Sequence, residues 1–196
     1  MTSSDLLRAL GPVVDALEGL GVPYYVGGSL ASSTHGVARS SIDADVVADL
    51  GPAHVSPLVR ALETTYYLSE DRMTSAVRAR RSFNLIHLET MFKVDVFVTK
   101  GRPFDRQAFA RARAEALEDS PAARRFLVAS REDTVLAKLE WFRAGGEVSE
   151  RQWADVVGVL KTAGDSLDRA YLRSWASSIG VEDLLERAVR DAEPSA

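Results

Sequence analysis

The spacing of apolar residues changes character near residue 100. Before that point, short alternating apolar runs typical of strands stand between stretches with helical periodicity. The predicted strands are "VPYYV", "SIDADVVADL", "SFNLIHLE" and "FKVDVFV". After residue 100 the apolar spacing is mainly that of helices. The most loop-like sequences lie between about residues 99 and 130. This pattern predicts an α/β (α+β) fold, with a mixed sheet and flanking helices in residues 1–100 and a helical subdomain in residues 101–196.

Local signals predict where some helices begin, end or bend. The first helix, which starts near Ser3, should be interrupted or kinked at Pro12, because proline has no amide hydrogen to donate inside a helix. Ser130 and Ser149 are predicted N-caps of two later helices, since a serine hydroxyl can accept from a free amide of the first turn. The stretch "DRQAFARARAEALE" is predicted to be one helix, and the strands "SFNLIHLE" and "FKVDVFV" to be an antiparallel pair.

Composition and charge exclude several classes of protein. The chain has 196 residues, of which 46% are hydrophobic and 27% charged, as in ordinary globular proteins. The absence of cysteine excludes a disulfide framework, a thiolate metal site and a cysteine nucleophile. The net charge of −4 neither predicts nor excludes a nucleic-acid partner. The sequence contains no recognisable signal peptide or membrane-spanning stretch, so we expect a cytoplasmic protein with no membrane partner.

Three aspartates fall on strands that otherwise read as buried. Because side chains alternate along a strand, Asp43 and Asp45 point to one face and Ala44 and Val46 to the other. The same alternation places Asp95 on one face of its strand, so three carboxylates share a face if the two strands are neighbours. Carboxylates at such short distances repel one another, and their desolvation adds to the free-energy cost of placing them there. A divalent cation removes both objections, and two ions held about 4 Å apart suit an in-line attack at phosphorus.

A glycine-rich turn precedes the first of these strands. Gly27, Gly28 and Ser29 follow "VPYYV" directly and open a predicted short helix. Glycines let the backbone come close to a ligand, and the free amides of a first helical turn favour anions such as phosphate. The hydroxyl of Ser29 can either cap the helix or bind a phosphate oxygen. Carboxylates for a metal opposite a turn for phosphate indicate a nucleoside triphosphate site, although the sequence has no Walker A loop.

These stretches resemble the signature of a known superfamily. "VGGSLASSTHGVARSSIDADVV" resembles the G-[GS]…D-x-D signature of the nucleotidyltransferases, whose fold is shared with DNA polymerase beta, and "FKVDVFV" is similar to the strand of their third carboxylate. "HGVARSSID" resembles the H-G-x-x-R-x-T-x-D form of bacterial abortive-infection nucleotidyltransferase toxins, with Ser41 in place of threonine. "DTVLAKLEWFRAGGEVSERQWADVVGVL" is similar to the segment of those proteins that carries a lysine, an arginine and a trailing aspartate. The matching residues here are Lys138, Arg143, Arg151 and Asp155.

The resemblance implies a fold, a reaction and a set of site residues. The fold is a nucleotidyltransferase-type mixed sheet, and the reaction transfers a nucleoside monophosphate from a nucleoside triphosphate to an acceptor. Mg²⁺ or Mn²⁺ would be held by Asp43, Asp45 and Asp95, the last also acting as base toward the acceptor hydroxyl. Lys138 would neutralise the leaving group. The residues implied to hold the nucleotide are Gly27, Gly28, Ser29, Arg39, Lys138 and Arg143.

Each feature also has an ordinary structural alternative when it is taken alone. The Gly27–Ser29 stretch can be a plain tight turn, and Asp43 and Asp45 can lie on a solvated sheet face. Asp95 can form an ion pair with Lys93, which the alternation puts on the same face. Their joint occurrence, in this order and on these strands, favours a site.

Basic and aromatic residues elsewhere are open to two interpretations. Arg39 is either a phosphate contact or a partner of the aspartates, and Lys138 and Arg143 either contact the nucleotide or lie on a solvated helix surface. The three tryptophans stand among leucines and valines at helical spacing, so we expect them in the core and not as stacking platforms for bases. The basic stretch "RARRSF" is either a solvated face or a contact with an RNA backbone.

Three functions remain open from the sequence. The first is a metal-dependent nucleotidyltransferase that modifies RNA, a protein or a small molecule, as the toxin of a toxin–antitoxin pair whose antitoxin would be a protein partner. The second is a regulatory module that keeps the fold and binds a nucleotide without turnover. The third is a small-molecule adenylyltransferase of the antibiotic-modifying kind. Retention of all three aspartates speaks against the second.

Overall fold

The computed structural model of the chain describes residues 3–37, 43–118, 120 and 123–193. Its helices are α1 (Ser3–Gly19), α2 (Gly28–Thr34), α3 (Val55–Leu62), α4 (Glu70–Arg78), α5 (Pro103–Arg111), α6 (Arg131–Ala144), α7 (Glu150–Ala163), α8 (Arg169–Ile179) and α9 (Glu182–Ala192). Its strands are β1 (Tyr24–Val26), β2 (Asp43–Ala48), β3 (Tyr66–Tyr67), β4 (Ser82–His87), β5 (Lys93–Val98), β6 (Arg113–Ala116) and β7 (Arg125–Val128). Short 3₁₀ turns are found at Pro52–His54 and Gly164–Ser166.

The described strands form one seven-stranded sheet in the order β3-β4-β5-β2-β1-β7-β6. β2 runs parallel to β5 and β1 parallel to β7, whereas the other neighbours are antiparallel. The predicted mixed sheet is therefore confirmed, as is the predicted antiparallel pairing of "SFNLIHLE" (β4) with "FKVDVFV" (β5). The pairing of β2 with β5 matters most for function, because it makes the two aspartate-bearing strands direct neighbours.

One face of the sheet is apolar and is covered by α1. Along β2 and β5, buried side chains alternate with half-buried ones, as expected for strands with one covered face. The buried set includes Val46 and Val94, which share a core with Leu10 and Val13 of α1. The half-buried set therefore faces the opposite side of the sheet, where the aspartates lie.

The first helix continues through its proline. α1 is helical from Ser3 to Gly19 with Pro12 inside it, so the interruption expected there does not occur. A proline inside a helix costs about 3 kcal/mol. Leu10, Val13 and Val14, which flank it, have no exposed surface, and each buried side chain of this size contributes about 1.5–3 kcal/mol. Their burial against the sheet outweighs the loss at the proline.

Two strands that the sequence did not predict lie after residue 100. The stretch predicted as one helix from Asp105 onward forms α5 and then the strand β6, and β7 lies in the region expected to be a loop. β6 pairs with β7, and β7 continues the sheet beside β1. The residues of β6 are good helix formers, so pairing with neighbouring strands has overridden their local preference. The division of the chain into two domains at residue 100 stays a prediction.

The last four helices enclose a second apolar core. It includes Leu136 and Leu139 of α6 and Val156 and Val159 of α7, together with residues of α8 and α9. The predicted N-caps are confirmed: the hydroxyl of Ser130 accepts from the Asp133 amide at 3.1 Å, and the hydroxyl of Ser149 accepts from the Gln152 amide at 3.3 Å. None of the described helices combines the length and apolar character that crossing a membrane requires.

Candidate active site

Three carboxylates lie together on the open face of the sheet. Asp43 and Asp45 are half-buried and alternate with the buried Ala44 and Val46. In the parallel pairing of β2 with β5, Asp45 lies directly opposite Asp95, and Asp43 lies opposite Lys93. The strands are thus neighbours, as the shared-face prediction required. Strand alternation and register together bring the three aspartates to one place.

Lys93 of β5 forms ion pairs with two of these aspartates. The ammonium group of Lys93 is 2.6 Å from Oδ2 of Asp95 and 3.6 Å from Oδ2 of Asp43. Its hydrogen bond to Asp95 raises the pKa of Lys93. The ion pair considered as an alternative for Asp95 is therefore present. It also shows that the space between the two carboxylates attracts a cation.

Burial makes the ionisation of Asp45 unfavourable. Burial raises its pKa to about 6, with further contributions from the negative charges of Asp43 and Asp95. Lys138 and Lys93 act in the opposite direction. A carboxylate with a raised pKa is costly to ionise at neutral pH, and a cation placed beside it would lower that cost.

The donor set fits a divalent metal ion in its chemistry. Three carboxylates on one face supply the hard oxygen ligands that Mg²⁺ and Mn²⁺ favour. Within the described residues, however, no three histidine, aspartate or glutamate side chains stand in a geometry that could hold an ion. The ammonium group of Lys93 lies between Asp43 and Asp95. Binding of a metal there would require this lysine to move.

Gly28 gives Asp45 its position. A Cβ atom at Gly28 would lie 1.7 Å from Oδ2 of Asp45, and Gly28 has a φ of +57°, in the left-handed region. The preceding Gly27 donates through its amide to the carbonyl of Asp45 at 2.9 Å. The turn that leads into α2 therefore packs closely against the middle of β2. Position 28 requires glycine because a Cβ atom there would clash with Asp45 and because its backbone is left-handed.

A cavity of about 380 Å³ opens over this turn, and we call it the Asp45 cavity. Its volume is within the usual range for small-molecule sites. Sequence-predicted site residues contribute much of its lining. These are Gly27, Gly28, Ser29, Asp43, Asp45 and Lys138. The structure therefore brings together the predicted phosphate turn, two predicted metal ligands and the predicted lysine of the helical part.

Lys138 reaches the Asp45 cavity from α6 and is held by a buried partner. Its Nζ donates to Oδ2 of Asp155 at 2.7 Å, and both side chains are more than nine-tenths buried. A buried charge is stable only when it is paired. Asp155 on α7 thus fixes the position of the ammonium group, which remains close enough to Asp45 to lower the pKa of that carboxyl.

Arg143, another predicted nucleotide ligand, does not line this cavity. Arg143 lies in the last turn of α6, where its guanidinium contacts Glu147, the carbonyl of Gly180 and Asp183. Arg143 is not among the described residues that line the Asp45 cavity. Its contact with Asp183 joins α6 to α9. Arg39 lies outside the described residues.

Aromatic residues form a wall of the Asp45 cavity that the sequence interpretation missed. Trp141 is 54% exposed, and its ring makes an edge-on contact with Phe97 at a centroid distance of 5.3 Å. Both line the cavity. The expectation of a core position is therefore wrong for Trp141. The available signals were its place three residues after Lys138 on one helix and the alternation of Phe97 with Asp95 on one strand.

Comparison with solved structures shows the same fold in nucleotidyltransferases. The antibiotic-resistance factor ANT(2'')-Ia in solution matches with a TM-score of 0.57 at 11% identity, over 95% of this chain and 99% of its own. The crystal structure of ANT(2'')-Ia in complex with adenylyl-2''-tobramycin matches with a TM-score of 0.53 at 14% identity, over 88% and 97%. An antigenic nucleotidyltransferase-like protein from Paracoccidioides brasiliensis matches with a TM-score of 0.53 at 14% identity, over 98% and 95%.

These likenesses establish the fold and leave the sequence relationships open. The predicted nucleotidyltransferase-type sheet with flanking helices is confirmed. No family model matches the sequence, and no curated protein matches it. At identities of 11–14%, the shared fold does not carry over an activity or an acceptor. Those have to be argued from the site itself.

Proposed function

We propose that this chain is a metal-dependent nucleotidyltransferase, which transfers a nucleoside monophosphate from a nucleoside triphosphate to an acceptor hydroxyl. The observation that carries the proposal is the Asp45 cavity, in which the Gly28 turn, the Asp45 carboxylate and the Lys138 ammonium group meet. A turn for phosphates, carboxylates for a metal and a cation for the leaving group are the parts that such a transfer needs. The fold shared with nucleotidyltransferases supports it.

In this proposal the nucleotide enters the Asp45 cavity with its phosphates toward the turn. The backbone at Gly28 and Ser29 would donate to the β- and γ-phosphate oxygens, and the missing side chain of Gly28 keeps the approach open. Lys138, which is fixed by Asp155, would neutralise the charge that builds on the leaving pyrophosphate. The base would lie against the exposed indole of Trp141, because aromatic rings stack on every base.

The reaction is a displacement at the α-phosphorus. The acceptor oxygen forms a bond to that phosphorus, the bond to the oxygen between the α- and β-phosphates breaks, and pyrophosphate leaves. Asp95 would accept the proton of the acceptor hydroxyl. Asp43, Asp45 and Asp95 would hold Mg²⁺ or Mn²⁺, whose charge supports the phosphate oxygens. Lys93 would leave Asp95 and Asp43 in that state.

The two classes of acceptor have different support. A solved structure of the same fold contains adenylyl-2''-tobramycin, which favours adenylyl transfer to a small molecule here. A toxin role, with RNA or a protein as acceptor and an antitoxin as partner, rests on the resemblance of "HGVARSSID" to abortive-infection toxins. Nucleotide binding without turnover is opposed by the three aspartates that remain on one face.

The test is a transfer assay with nucleoside triphosphates labelled at the α-phosphate. The protein is incubated with each labelled triphosphate and with Mg²⁺ or Mn²⁺, in the presence of pooled RNA, protein or small hydroxyl compounds. We expect pyrophosphate release together with label transfer to one pool. Asp43→Asn and Asp45→Asn should lose both activities, because each removes a carboxylate from the Asp45 cavity.

The matched control is Asp165→Asn, since Asp165 is fully exposed and contributes only a weak contact to Arg169. This variant should transfer label at the rate of the unmodified protein. Transfer that survives unchanged in Asp45→Asn, or that occurs with no divalent cation present, would contradict the proposed function. Calorimetric binding of a nucleotide with no transfer to any pool would favour the regulatory alternative.

A further inference from the structure

A second cavity lies on the other side of Asp95 and is the larger of the two. It has a volume of about 720 Å³ and lies between α4 and β4, so we call it the α4–β4 cavity. β5 pairs with β2 along one edge and with β4 along the other, and Asn84 of β4 lies directly opposite Asp95. Asp95 thus stands between Asp45 on one side and the lining of the α4–β4 cavity on the other.

We infer that the α4–β4 cavity binds the acceptor and that the acceptor is a hydroxyl compound carrying a phosphate ester, recognised by Arg72 and Arg81. The inference rests on the proposed function and goes beyond it by naming the place and the chemical class of the acceptor. A hydroxyl in this cavity lies beside Asp95, the proposed base. The volume of about 720 Å³ is large enough for a sugar phosphate or a terminal nucleotide.

The charge of the cavity lining carries the assignment. Arg72 on α4 and Arg81, which directly precedes β4, are both exposed and both line the cavity. In the described part of the chain, neither guanidinium takes part in an ion pair or a side-chain hydrogen bond. The neighbouring Arg80 differs, because it contacts Asp49 and the carbonyl of Thr99. Two arginines that line the same cavity suit a phosphate, which accepts from a guanidinium in a bidentate manner.

The same lining does not suit a cationic acceptor. Its two carboxylates are Asp71 and Asp95, and the second is neutralised by Lys93. The remaining polar groups are neutral and can bind hydroxyls of a sugar. They belong to Tyr67, Ser69, Ser75, Ser82 and Asn84. An acceptor with several ammonium groups would meet two arginines and a single unneutralised carboxylate in this cavity, and like charges would repel it.

The test measures binding by calorimetry with neither metal nor nucleoside triphosphate present, so that it does not depend on turnover. The probes are ribose 5-phosphate, neutral ribose, the dinucleotide ApA and the polycation tobramycin. We expect ribose 5-phosphate to bind about tenfold more tightly than ribose, as for a charge-assisted hydrogen bond. Arg81→Gln and Arg72→Gln should each remove that difference. Arg78→Gln, on the same helix but outside the lining, should keep it.

The two sources of a phosphate ester are separated by the other probes. Tighter binding of ApA than of ribose 5-phosphate identifies the end of an RNA chain, and the reverse order identifies a free sugar phosphate; either order supports the inference. Equal binding of ribose and ribose 5-phosphate, tighter binding of tobramycin, or an equal loss in Arg78→Gln would overturn it. Selective binding of ribose 5-phosphate without any label transfer would leave the anion pocket standing while the proposed function fails. Label transfer that is unchanged in both arginine variants would leave the proposed function standing and overturn the assignment of the acceptor site.

Discussion

Oδ2 of Asp45 occupies the place where a Cβ atom of residue 28 would be, 1.7 Å from the ideal position of that atom at Gly28. Replacement of Gly28 by alanine therefore has to displace the carboxylate, and it also strains a backbone with a φ of +57°. We expect Gly28→Ala to abolish nucleotide transfer and to weaken Mg²⁺ binding, as measured by calorimetry and by the transfer assay.

The adjacent glycine provides a matched control. A Cβ atom at Gly27 would meet the ring of Tyr25 at 3.7 Å, an ordinary contact, and Gly27 has a φ of −118° that any residue adopts. Gly27→Ala should therefore keep Mg²⁺ binding close to that of the unmodified protein. Equal losses in the two variants would show that the turn tolerates no side chain for a reason other than Asp45.

Removal of Lys93 should make the protein more dependent on a divalent cation. Its ammonium group now balances Asp95 and Asp43, and Lys93→Met leaves those charges to repel one another. Because the pair is partly exposed, we expect the metal-free variant to lose about 1 kcal/mol of unfolding free energy. Thermal unfolding with and without Mg²⁺ should show a larger stabilisation by the ion in Lys93→Met than in the unmodified protein.

A lysine outside the site gives the comparison for this measurement. Lys161→Met removes an exposed lysine of α7 and should leave the effect of Mg²⁺ on the melting temperature unchanged. A Mg²⁺ response that is the same in Lys93→Met and in the unmodified protein would mean that the lysine and the ion do not compete for the aspartates.

The sheet and its carboxylates could be predicted from the sequence because both follow from a local rule. Strand alternation alone places Asp43 with Asp45 and puts Asp95 opposite its buried valines. Register cannot be derived in this way, since the pairing of Asp45 with Asp95 depends on which strands become neighbours. β6 was not predicted for a related reason, because its partner β7 lies in a stretch without a strong pattern of its own.

The contribution of α6 to the site was harder to predict. Lys138, Trp141 and Arg143 lie within two turns of one helix, yet Lys138 is buried, Trp141 faces the Asp45 cavity and Arg143 contacts α9. α6 packs against α2 and against three helices of the second core, so no single polar face marks its outer side. Periodicity therefore identified the helix without showing which of its residues line the Asp45 cavity.

Trp141 should report nucleotide binding directly. It is 54% exposed at the wall of the Asp45 cavity, so a bound base should change its fluorescence. Trp141→Ala should weaken nucleotide binding by about tenfold or more, as stacking on a base contributes about 1–3 kcal/mol. Stability should change little, because the side chain is largely exposed. Trp175→Phe, in the second core, should leave nucleotide affinity as it was; an equal loss there would contradict the stacking role.

His35 should make stability fall in mild acid. Its Nε2 donates to the carbonyl of Ala129 at 2.8 Å, and burial lowers the pKa of its imidazole below the ordinary value of 6.5. Between the folded pKa and 6.5, the unfolded chain binds the proton more strongly, so stability rises with pH there. The contribution is complete above pH 6.5 and is lost as the pH falls through the folded pKa.

The measurement is urea unfolding at several values of pH between about 5 and 8, around the unperturbed histidine pKa. His35→Gln can still donate to the Ala129 carbonyl but cannot titrate. The free energy of unfolding of this variant should therefore fall less than that of the unmodified protein when the pH is lowered from 6.5. Parallel pH curves would show that His35 does not contribute to the acid sensitivity.

Variants of the buried pair Lys138 and Asp155 should distinguish its contribution to stability from its contribution to nucleotide binding. Asp155→Asn leaves a buried ammonium group without its charged partner, so it should cost about 3–5 kcal/mol of unfolding free energy. In Lys138→Met combined with Asp155→Asn, neither member of this pair carries a charge, and much of that loss should be recovered. Denaturant unfolding measures both values.

Nucleotide affinity should not follow stability in these variants. The double variant lacks the ammonium group that lines the Asp45 cavity, so it should bind the triphosphate about tenfold or more weakly, as expected from the loss of a charged hydrogen bond. If the restored fold also restored full affinity and label transfer, Lys138 would be a structural partner of Asp155 and not a contact for the leaving phosphates. A double variant that is stable and fails to bind is the result that the proposed role requires.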